Sequence, residues 1–206
     1  MDKNKLSKIN KIIDELKVTE YNISKIETNT SFLALQKGNY KLANGKKINR
    51  ESVIKKNGNS DAVAIFATTK DNEIILVIQP RVVLPTKTKI DIEIPAGYIE
   101  KEETIIDAAI RELKEETGYK TKELNIIDEY YPSLGYSSEK ISIILATNCE
   151  KVGEPKPDAD EFIKYITVTF EEFKYLLDNN YILDATARLA YYKTIEYIAN
   201  KNQLIS

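Results

Sequence analysis

The stretch GYIEKEETIIDAAIRELKEETGY, residues 97–119, decides the fold prediction because it combines a glycine loop, a helix pattern and clustered glutamates. Thr104 and Asp107 resemble a capping box that begins a helix, and Gly118 is placed to end it. Apolar residues between these caps, including Leu113, supply a packing stripe. The pattern therefore predicts one helix between Thr104 and Gly118.

Three glutamates crowd the last turns of this predicted helix. Glu112 and Glu116 are four residues apart and project from one face, and Glu115 lies close enough to join them. The negative end of the helix dipole opposes each charge by roughly 0.3–1 kcal/mol, which Arg111 and Lys114 offset only in part. Hard divalent cations prefer such oxygen ligands and keep positions open for phosphate. The cluster predicts a Mg²⁺ or Mn²⁺ site, and an ordinary solvated helix face is the competing interpretation.

Composition limits the chemistry further. The 206-residue chain has a formal net charge of −2, which gives no overall basic footprint for nucleic acid or anionic lipid. It contains no histidine and one cysteine, Cys149, which excludes histidine-dependent triads, imidazole zinc sites and an internal disulfide framework. No apolar run is long enough to span a membrane or serve as a signal peptide. We therefore expect a cytoplasmic protein rich in carboxylate chemistry, without a nucleic-acid or membrane partner.

Strand patterns lie on both sides of the helix. LANGKK at residues 42–47 contains an Asn-Gly hairpin signal between two alternating segments. AVAIFAT and IILVIQP predict paired strands, and IDIEIPAG predicts a short strand that ends at Pro95. Further strands are expected near residues 124–131, 140–147 and 162–170, and further helices near residues 3–17, 171–178 and 184–200.

This order of elements predicts an α+β fold with an antiparallel or mixed sheet. Residues 1–55 would form an N-terminal helix and a small antiparallel β unit, and residues 56–206 would form the larger domain. The apolar stripe of the first helix, from Leu6 to Leu16, favours docking on a partner.

The complete pattern around the helix resembles the signature of the Nudix hydrolases. Gly97, Glu103 and the run RELKEETG at residues 111–118 match its fixed positions. Two positions depart from it: Tyr119 replaces the usual aliphatic residue, and Glu102 stands where many relatives have glycine. The resemblance implies an α/β/α sandwich with a mixed sheet, in which a loop-helix-loop carries the metal site.

The resemblance also implies roles for individual side chains. The cation would be held by Glu112, Glu116 and Glu115 together with the backbone carbonyl of Ala96. Arg111 would pair with Glu103 and orient the helix. Among the acidic residues of the loop before the last strand, Glu161 aligns best as general base or additional metal ligand, with Asp158 and Asp160 as the alternatives; a solubilising loop is the competing interpretation.

Outside this motif, roughly from residue 33 to residue 200, the chain resembles the ADP-ribose pyrophosphatase branch of that family. The resemblance is carried, in chain order, by GNSDAVAIFA, LVIQPRVV, EIPAG, YYPSLGYSSE and ILDATARLAYYKTIEYI. It implies that Arg81 contacts the substrate phosphates, Arg50 and Glu51 the nucleoside, Glu139 the distal part of the substrate, and Phe32 or Tyr40 the adenine. Relatives exchange the N-terminal unit within a dimer, so a homodimer is expected. Each of these side chains has a plain alternative as a solvated or packed residue.

The leading hypothesis is Mg²⁺-dependent hydrolysis of ADP-ribose to AMP and ribose 5-phosphate. Leu134 stands before Gly135 where that branch typically has proline, so other nucleotide sugars, dinucleotides and damaged nucleotides stay open as substrates. Two non-enzymatic readings also stay open: a nucleotide-sensing domain that retains the fold, and an interaction module built around the first helix.

Overall fold

The computed structural model describes residues 12, 14–15, 18–26, 30, 32–55, 61–157 and 161–203. The chain divides into two compact units, Met1–Gly58 with Ser133–Ser138, and Asn59–Pro132 with Glu139–Ser206. The helix predicted near residues 3–17 lies outside the described residues, except at positions 12, 14 and 15. What each unit does stays a prediction.

The first unit contains an antiparallel sheet in the order β1-β2-β3. These strands are β1 (Val18–Ile26), β2 (Leu33–Leu42) and β3 (Lys47–Lys55). The predicted hairpin between β2 and β3 is confirmed: the backbone N–H of Gly45 donates to the Leu42 carbonyl at 2.9 Å and closes the turn. The sequence analysis does not predict β1, whose residues VTEYNISKI show no regular alternation of apolar and polar side chains.

The second unit contains a mixed sheet and helices. Its strands are β4 (Ala62–Thr69), β5 (Ile74–Pro80), β6 (Ile90–Glu93), β7 (Ala96–Tyr98), β8 (Tyr119–Lys120), β9 (Glu123–Tyr130), β10 (Ile141–Lys151) and β11 (Lys164–Val168). Its helices are α1 (Ile105–Thr117), α2 (Phe170–Asp178) and α3 (Ala185–Gln203). The predicted strands and helices of this part of the chain are present, with ends that differ by a few residues.

The sheet of the second unit runs in the order β11-β5-β4-β10-β8, with β6 beside β5, β7 beside β4 and β9 beside β10. β4 and β10 are parallel, and the other described pairs are antiparallel. The sheet is therefore mixed, as predicted. Its two parallel strands lie at the centre, where both faces are covered.

Side chains of β4 alternate between the two faces of this sheet, and helices cover both faces. Phe66 faces a cluster that includes Phe173 of α2 and Tyr191 of α3. Ile65 faces a second cluster that includes Leu113 of α1. All residues of β4 are buried. The predicted α/β/α sandwich is confirmed, and double-sided burial explains why AVAIFAT is apolar at nearly every position.

The chain changes strand partner at Pro95. The sequence predicts one strand that ends there, but β6 ends at Glu93, and β7 begins at Ala96. β6 pairs with β5, whereas β7 pairs with β4, so Ala96 lies opposite Ala64. The Pro95 carbonyl accepts a hydrogen bond from Ile65 N–H at 2.8 Å. This switch carries the chain from one strand of the sheet to a neighbouring one directly before α1.

The ends of α1 match the predicted caps. The Thr104 hydroxyl oxygen accepts from the Asp107 N–H at 3.1 Å, while the Thr104 hydroxyl itself donates to the Asp107 carboxylate at 2.7 Å. Gly118 adopts the left-handed conformation with φ 72°, and its N–H donates to the Lys114 carbonyl. Glycine is favoured there because other residues adopt this conformation only with strain.

We predict that Gly118→Ala destabilises the fold strongly. Besides the cost of the left-handed conformation, an added Cβ would lie 2.1 Å from the Gly153 carbonyl oxygen, so we expect a loss of about 2–5 kcal/mol in the free energy of unfolding. Gly45→Ala is the matched control, since Gly45 has φ 84° but open space around it, and should lose only about 1–2 kcal/mol. Urea unfolding measures both, and equal losses would contradict the steric argument.

Candidate active site

A cleft of about 360 Å³ lies in the second unit beside β7 and the C-terminal half of α1. Acidic side chains dominate the described residues that line it. They are Glu93, Glu100, Glu112, Glu115, Glu116, Glu139, Glu161 and Asp184, against the two cations Arg81 and Arg111. An excess of negative charge on this scale creates a potential that attracts cations.

Glu116 is the most deeply buried acid of the cleft, with 2% of the residue exposed. Its Oε2 accepts a hydrogen bond from the Ala96 N–H at 3.0 Å, which ties the end of α1 to β7. Burial raises the pKa of Glu116 well above its usual value, and the negative charges of Glu112, Glu161 and Glu93 raise it further. A nearby positive charge would therefore stabilise the ionised form of Glu116.

Glu112 lies directly against the backbone of the glycine loop. A Cβ on Gly97 would be 1.9 Å from Glu112 Oε1, so any other residue at this position would displace the carboxylate from where it lies. Burial raises the pKa of Glu112, although Arg111 acts in the opposite direction. Through this close approach, the glycine loop and the helix of residues 97–119 together set the position of the Glu112 carboxylate.

Arg111 holds the loop and the helix together. Its guanidinium donates to both carboxylate oxygens of Glu103 at 2.9 Å and to the Tyr98 carbonyl at 2.8 Å. It also contacts Glu112 Oε1 at 2.7 Å and Glu115 Oε2 at 3.2 Å. The expected pair of Glu103 and Arg111 is present, and it lowers the pKa of Glu103 and raises the pKa of Arg111. Bidentate pairing of this kind fixes orientation as well as charge.

The chemistry of these residues fits a hard divalent cation. The carboxylates of α1 are oxygen donors in a cleft with a large surplus of negative charge, and Glu116 is buried there. Glu112, Glu115, Glu116 and the carbonyl of Ala96 are the groups available to hold the ion. In this structure Arg111 bridges Glu112 and Glu115, and within the described ranges no three acidic, cysteine or histidine side chains are grouped closely enough to enclose a metal.

Arg81 directly follows β5, lines the cleft and is held by a carboxylate that the sequence analysis missed. Its Nε and one terminal nitrogen donate to the two oxygens of Glu93 at 2.6 Å each, and Gln79 donates to the same carboxylate at 3.2 Å. The Arg81 side chain stays 47% exposed, whereas the Glu93 side chain is 7% exposed. In IDIEIP, Asp91 and Glu93 alternate with isoleucines, a pattern that by itself predicts exposed acids, so the sequence gives no local sign of this role.

Asp184 and Thr186 also line the cleft without having been predicted. The Asp184 carboxylate accepts from the Ala187 N–H at 2.7 Å at the start of α3. Thr186 accepts a hydrogen bond from the Tyr130 hydroxyl at 2.6 Å. The local sequence LDAT is typical of a helix start and contains nothing that indicates a cleft.

The cleft collects most of the side chains singled out in the sequence. Those that line it are Arg81, Ala96, Arg111, Glu112, Glu115, Glu116, Glu139 and Glu161. Arg50 and Glu51 belong to β3 of the first unit, and Phe32 precedes β2 with its side chain exposed. Asp158 and Asp160 lie outside the described residues. The roles assigned to all of these residues stay predictions.

Within the described part of the chain, no helix is long and apolar enough to cross a membrane.

A family model and several known proteins are similar to this chain. The family model described as the NUDIX domain matches residues 58–189. The ADP-ribose pyrophosphatase of Bacillus subtilis (strain 168) is 38% identical over 164 residues, which cover 79% of this chain and 83% of that protein. The methanol dehydrogenase activator of Bacillus methanolicus is 34% identical over 157 residues, 76% of this chain and 81% of that protein.

A further relative and a solved structure extend this picture. The ADP-ribose pyrophosphatase of Saccharomyces cerevisiae (strain ATCC 204508 / S288c) is 30% identical over 173 residues, 78% of this chain and 74% of that protein. A crystal structure of an ADP compounds hydrolase superposes with a TM-score of 0.75, covering 91% of this chain and 96% of that chain at 20% identity. At that identity, the structural likeness shows the fold alone.

We predict that Glu116→Gln stabilises the metal-free protein at alkaline pH. The folded pKa of Glu116 lies above its usual value of 4.5, so its contribution to stability is complete below that value and is lost as pH rises through the raised pKa. Glutamine cannot ionise and can still accept the Ala96 N–H. Urea unfolding in EDTA should therefore show a gain for Glu116→Gln at pH 8 that shrinks towards pH 5.

Glu115→Gln is the control, because its side chain is 42% exposed and its removal should change this pH dependence little. A Glu116→Gln protein whose stability follows the wild type at both pH values would show that the buried carboxylate carries no electrostatic penalty.

Proposed function

The chain belongs to the Nudix family, and we propose that it hydrolyses the diphosphate bond of ADP-ribose, giving AMP and ribose 5-phosphate. The observation that carries the proposal is the acidic cleft, in which the glutamates of α1 and the guanidinium of Arg81 line one space. The curated ADP-ribose pyrophosphatases among its relatives support this choice of substrate.

The side chains of the cleft divide into those that hold the cation and those that bind the substrate. Glu112, Glu116, Glu115 and the Ala96 carbonyl would hold Mg²⁺, with Mn²⁺ as the alternative. When bound, the cation supplies charge neutralisation for the diphosphate and lowers the pKa of a bound water. Members of this family generally use a divalent cation, and the oxygen-only donor set favours these two ions.

Arg81 is suited to bind the diphosphate. Its guanidinium is oriented by two hydrogen bonds to Glu93 at 2.6 Å, yet nearly half of its side chain stays exposed. A guanidinium held in this way presents its remaining N–H groups to phosphate oxygens without first losing conformational freedom. Glu139, on the same cleft, would contact the distal part of the substrate.

Hydrolysis requires a base that accepts a proton from the attacking water. Glu161 lines the cleft and is close enough to Glu112 and Glu116 to raise the pKa of both carboxyls. In the proposed step, the water oxygen attacks one phosphorus, Glu161 accepts the proton, and the bond between that phosphorus and the bridging oxygen breaks. The bridging oxygen leaves with the second phosphate, so one water yields the two monophosphates.

The remaining assignments rest on the family resemblance. We propose that Arg50, Glu51 and Phe32 contact the nucleoside, that the chain forms a homodimer, and that it works in the cytoplasm. Light scattering tests the assembly, because a monomer at micromolar concentration would remove the dimer from this scheme.

A dinucleotide is the second candidate substrate, favoured by the likeness to the methanol dehydrogenase activator of B. methanolicus. Dehydrogenases commonly depend on nicotinamide dinucleotides. These molecules contain the same diphosphate bond between two nucleosides, so the same cleft chemistry applies.

We predict that ADP-ribose gives the highest kcat/KM in a panel of ADP-ribose, other nucleotide sugars, NAD and an oxidised nucleoside triphosphate. Chromatography should show AMP and ribose 5-phosphate in equal amounts with Mg²⁺, and no product in EDTA. Preferred cleavage of NAD would favour the dinucleotide candidate. Binding without turnover across the panel would favour a nucleotide-sensing domain.

We predict that Glu112→Gln and Glu116→Gln each lower kcat by about a hundredfold or more, because each removes charge where the cation is held. Glu102→Gln is the control, since the Glu102 side chain is 85% exposed in the loop before α1, and its kcat should stay within about twofold. Near wild-type activity of both α1 variants would reject the proposed metal site.

A further inference from the structure

Lys151, the last residue of β10, lies against two tyrosine rings. Its Nζ is 4.0 Å from the ring centroid of Tyr165 and 5.4 Å from that of Tyr119. The two rings meet edge to face, with centroids 5.9 Å apart and an interplanar angle of 77°. Cation–π attraction therefore holds the ammonium group in a defined place, although lysine is a flexible side chain.

The same ammonium group caps the C-terminal end of α1. Lys151 Nζ donates to the Thr117 carbonyl at 2.8 Å. Thr117 is the last residue of α1 and is fully buried, so its carbonyl has no following turn to bond and little access to water. A positive charge is favourable at this end of a helix, and more so where glutamates add to the negative dipole.

The residues after Lys151 continue the cap. The Val152 N–H donates to the Gly118 carbonyl at 2.9 Å, and the Lys156 N–H donates to the Glu115 carbonyl at 2.7 Å. Residues 151–156 therefore bind three carbonyls at the C-terminal end of α1, those of Glu115, Thr117 and Gly118. Lys151 contributes the charged member of this set.

The capped turn bears directly on the cleft. Glu116 precedes Thr117, and its carboxylate must reach the Ala96 N–H at 3.0 Å. The Thr117 hydroxyl also contacts the Leu113 carbonyl and accepts from the Tyr119 N–H at 3.2 Å. A shift of Thr117 would therefore move Glu116 relative to Ala96 and Glu112.

One residue of this arrangement, Tyr119, is already unusual in the sequence. It stands at the motif position that is usually aliphatic, and an aliphatic side chain would offer the ammonium no ring face. The tyrosine at position 119 and the ammonium group of Lys151 therefore act together at the C-terminal end of α1.

We propose that Lys151 is a positioning residue, held by Tyr119 and Tyr165, whose bond to the Thr117 carbonyl fixes the last turn of α1 and with it the carboxylate of Glu116. The inference rests on the proposed function for its effect on turnover, but its effect on Mg²⁺ binding can be measured without any substrate.

Calorimetric titration of MgCl₂ into the metal-free protein is the first test. Lys151→Met keeps the length of the side chain and removes its charge, and we expect a loss of Mg²⁺ affinity of about tenfold or more, as for other residues that orient metal ligands. Lys151→Arg retains the charge and should recover most of the affinity. Tyr119→Leu keeps Lys151 but removes one of the two rings that hold it, and it should give an intermediate loss of Mg²⁺ affinity. This variant keeps the proposal testable if Lys151→Met does not fold.

Steady-state kinetics with ADP-ribose is the second test. Misplaced carboxylates should lower kcat in Lys151→Met by about tenfold or more while KM stays within about threefold. Lys70→Met is the matched control, because Lys70 forms an exposed ion pair with Glu150, the neighbour of Lys151, at 2.5 Å. It removes the same charge nearby and should leave both Mg²⁺ affinity and kcat unchanged.

A purely structural role would lower the melting temperature of Lys151→Met and leave the Mg²⁺ affinity and kcat of the folded protein at wild-type values. That result would overturn the inference, as would losses of equal size in Lys70→Met. A wild-type protein that binds Mg²⁺ but does not cleave ADP-ribose would reject the proposed function alone, and the affinities of the Lys151 variants would still decide the positioning role.

Discussion

Burial of the Glu116 carboxylate is the constraint on which the candidate site depends. An acid removed from water needs hydrogen bonds and an opposite charge to stay ionised. The Ala96 N–H supplies a hydrogen bond and joins the end of α1 to β7, which pairs with the central strand β4. Glu112, Glu161 and Glu93 surround it with further negative charge. The negative charges gathered in the cleft repel one another, and a bound cation would relieve this repulsion.

The two arginines of the cleft answer this charge in different ways. Arg111 donates hydrogen bonds within the protein, to Glu103, Glu112, Glu115 and the Tyr98 carbonyl, and it links the glycine loop to α1. Arg81 is bound to one buried acid, Glu93, and keeps an exposed edge. The first arginine stabilises the arrangement of the acids, and the second is available to an anionic ligand.

The sheet brings these groups together through two backbone features. The change of strand partner at Pro95 places Ala96 and Gly97 against β4 directly before α1 begins. At the other end of the helix, Gly118 turns the chain and residues 151–156 bind the last carbonyls. Both ends of α1 are thereby tied to the sheet, so its glutamates have little freedom to move apart as their charges repel.

The sequence by itself determined what depends on near neighbours. The caps of α1, the β2–β3 hairpin, the apolar strands and the shared face of Glu112 and Glu116 follow from residues a few positions apart. These features could be predicted because turn chemistry and periodicity act within one element.

Only the tertiary structure decided which distant residues lie beside α1, in the cleft or at its C-terminal end. Glu93 reads locally as a strand residue and Asp184 as a helix start, and Lys151 lies beyond the strand predicted at residues 140–147. Their places near Glu116 and Thr117 depend on strand register and helix docking. Those contacts join segments far apart in the chain, and no local pattern encodes them, because their free energy is gained only when the whole sheet is assembled.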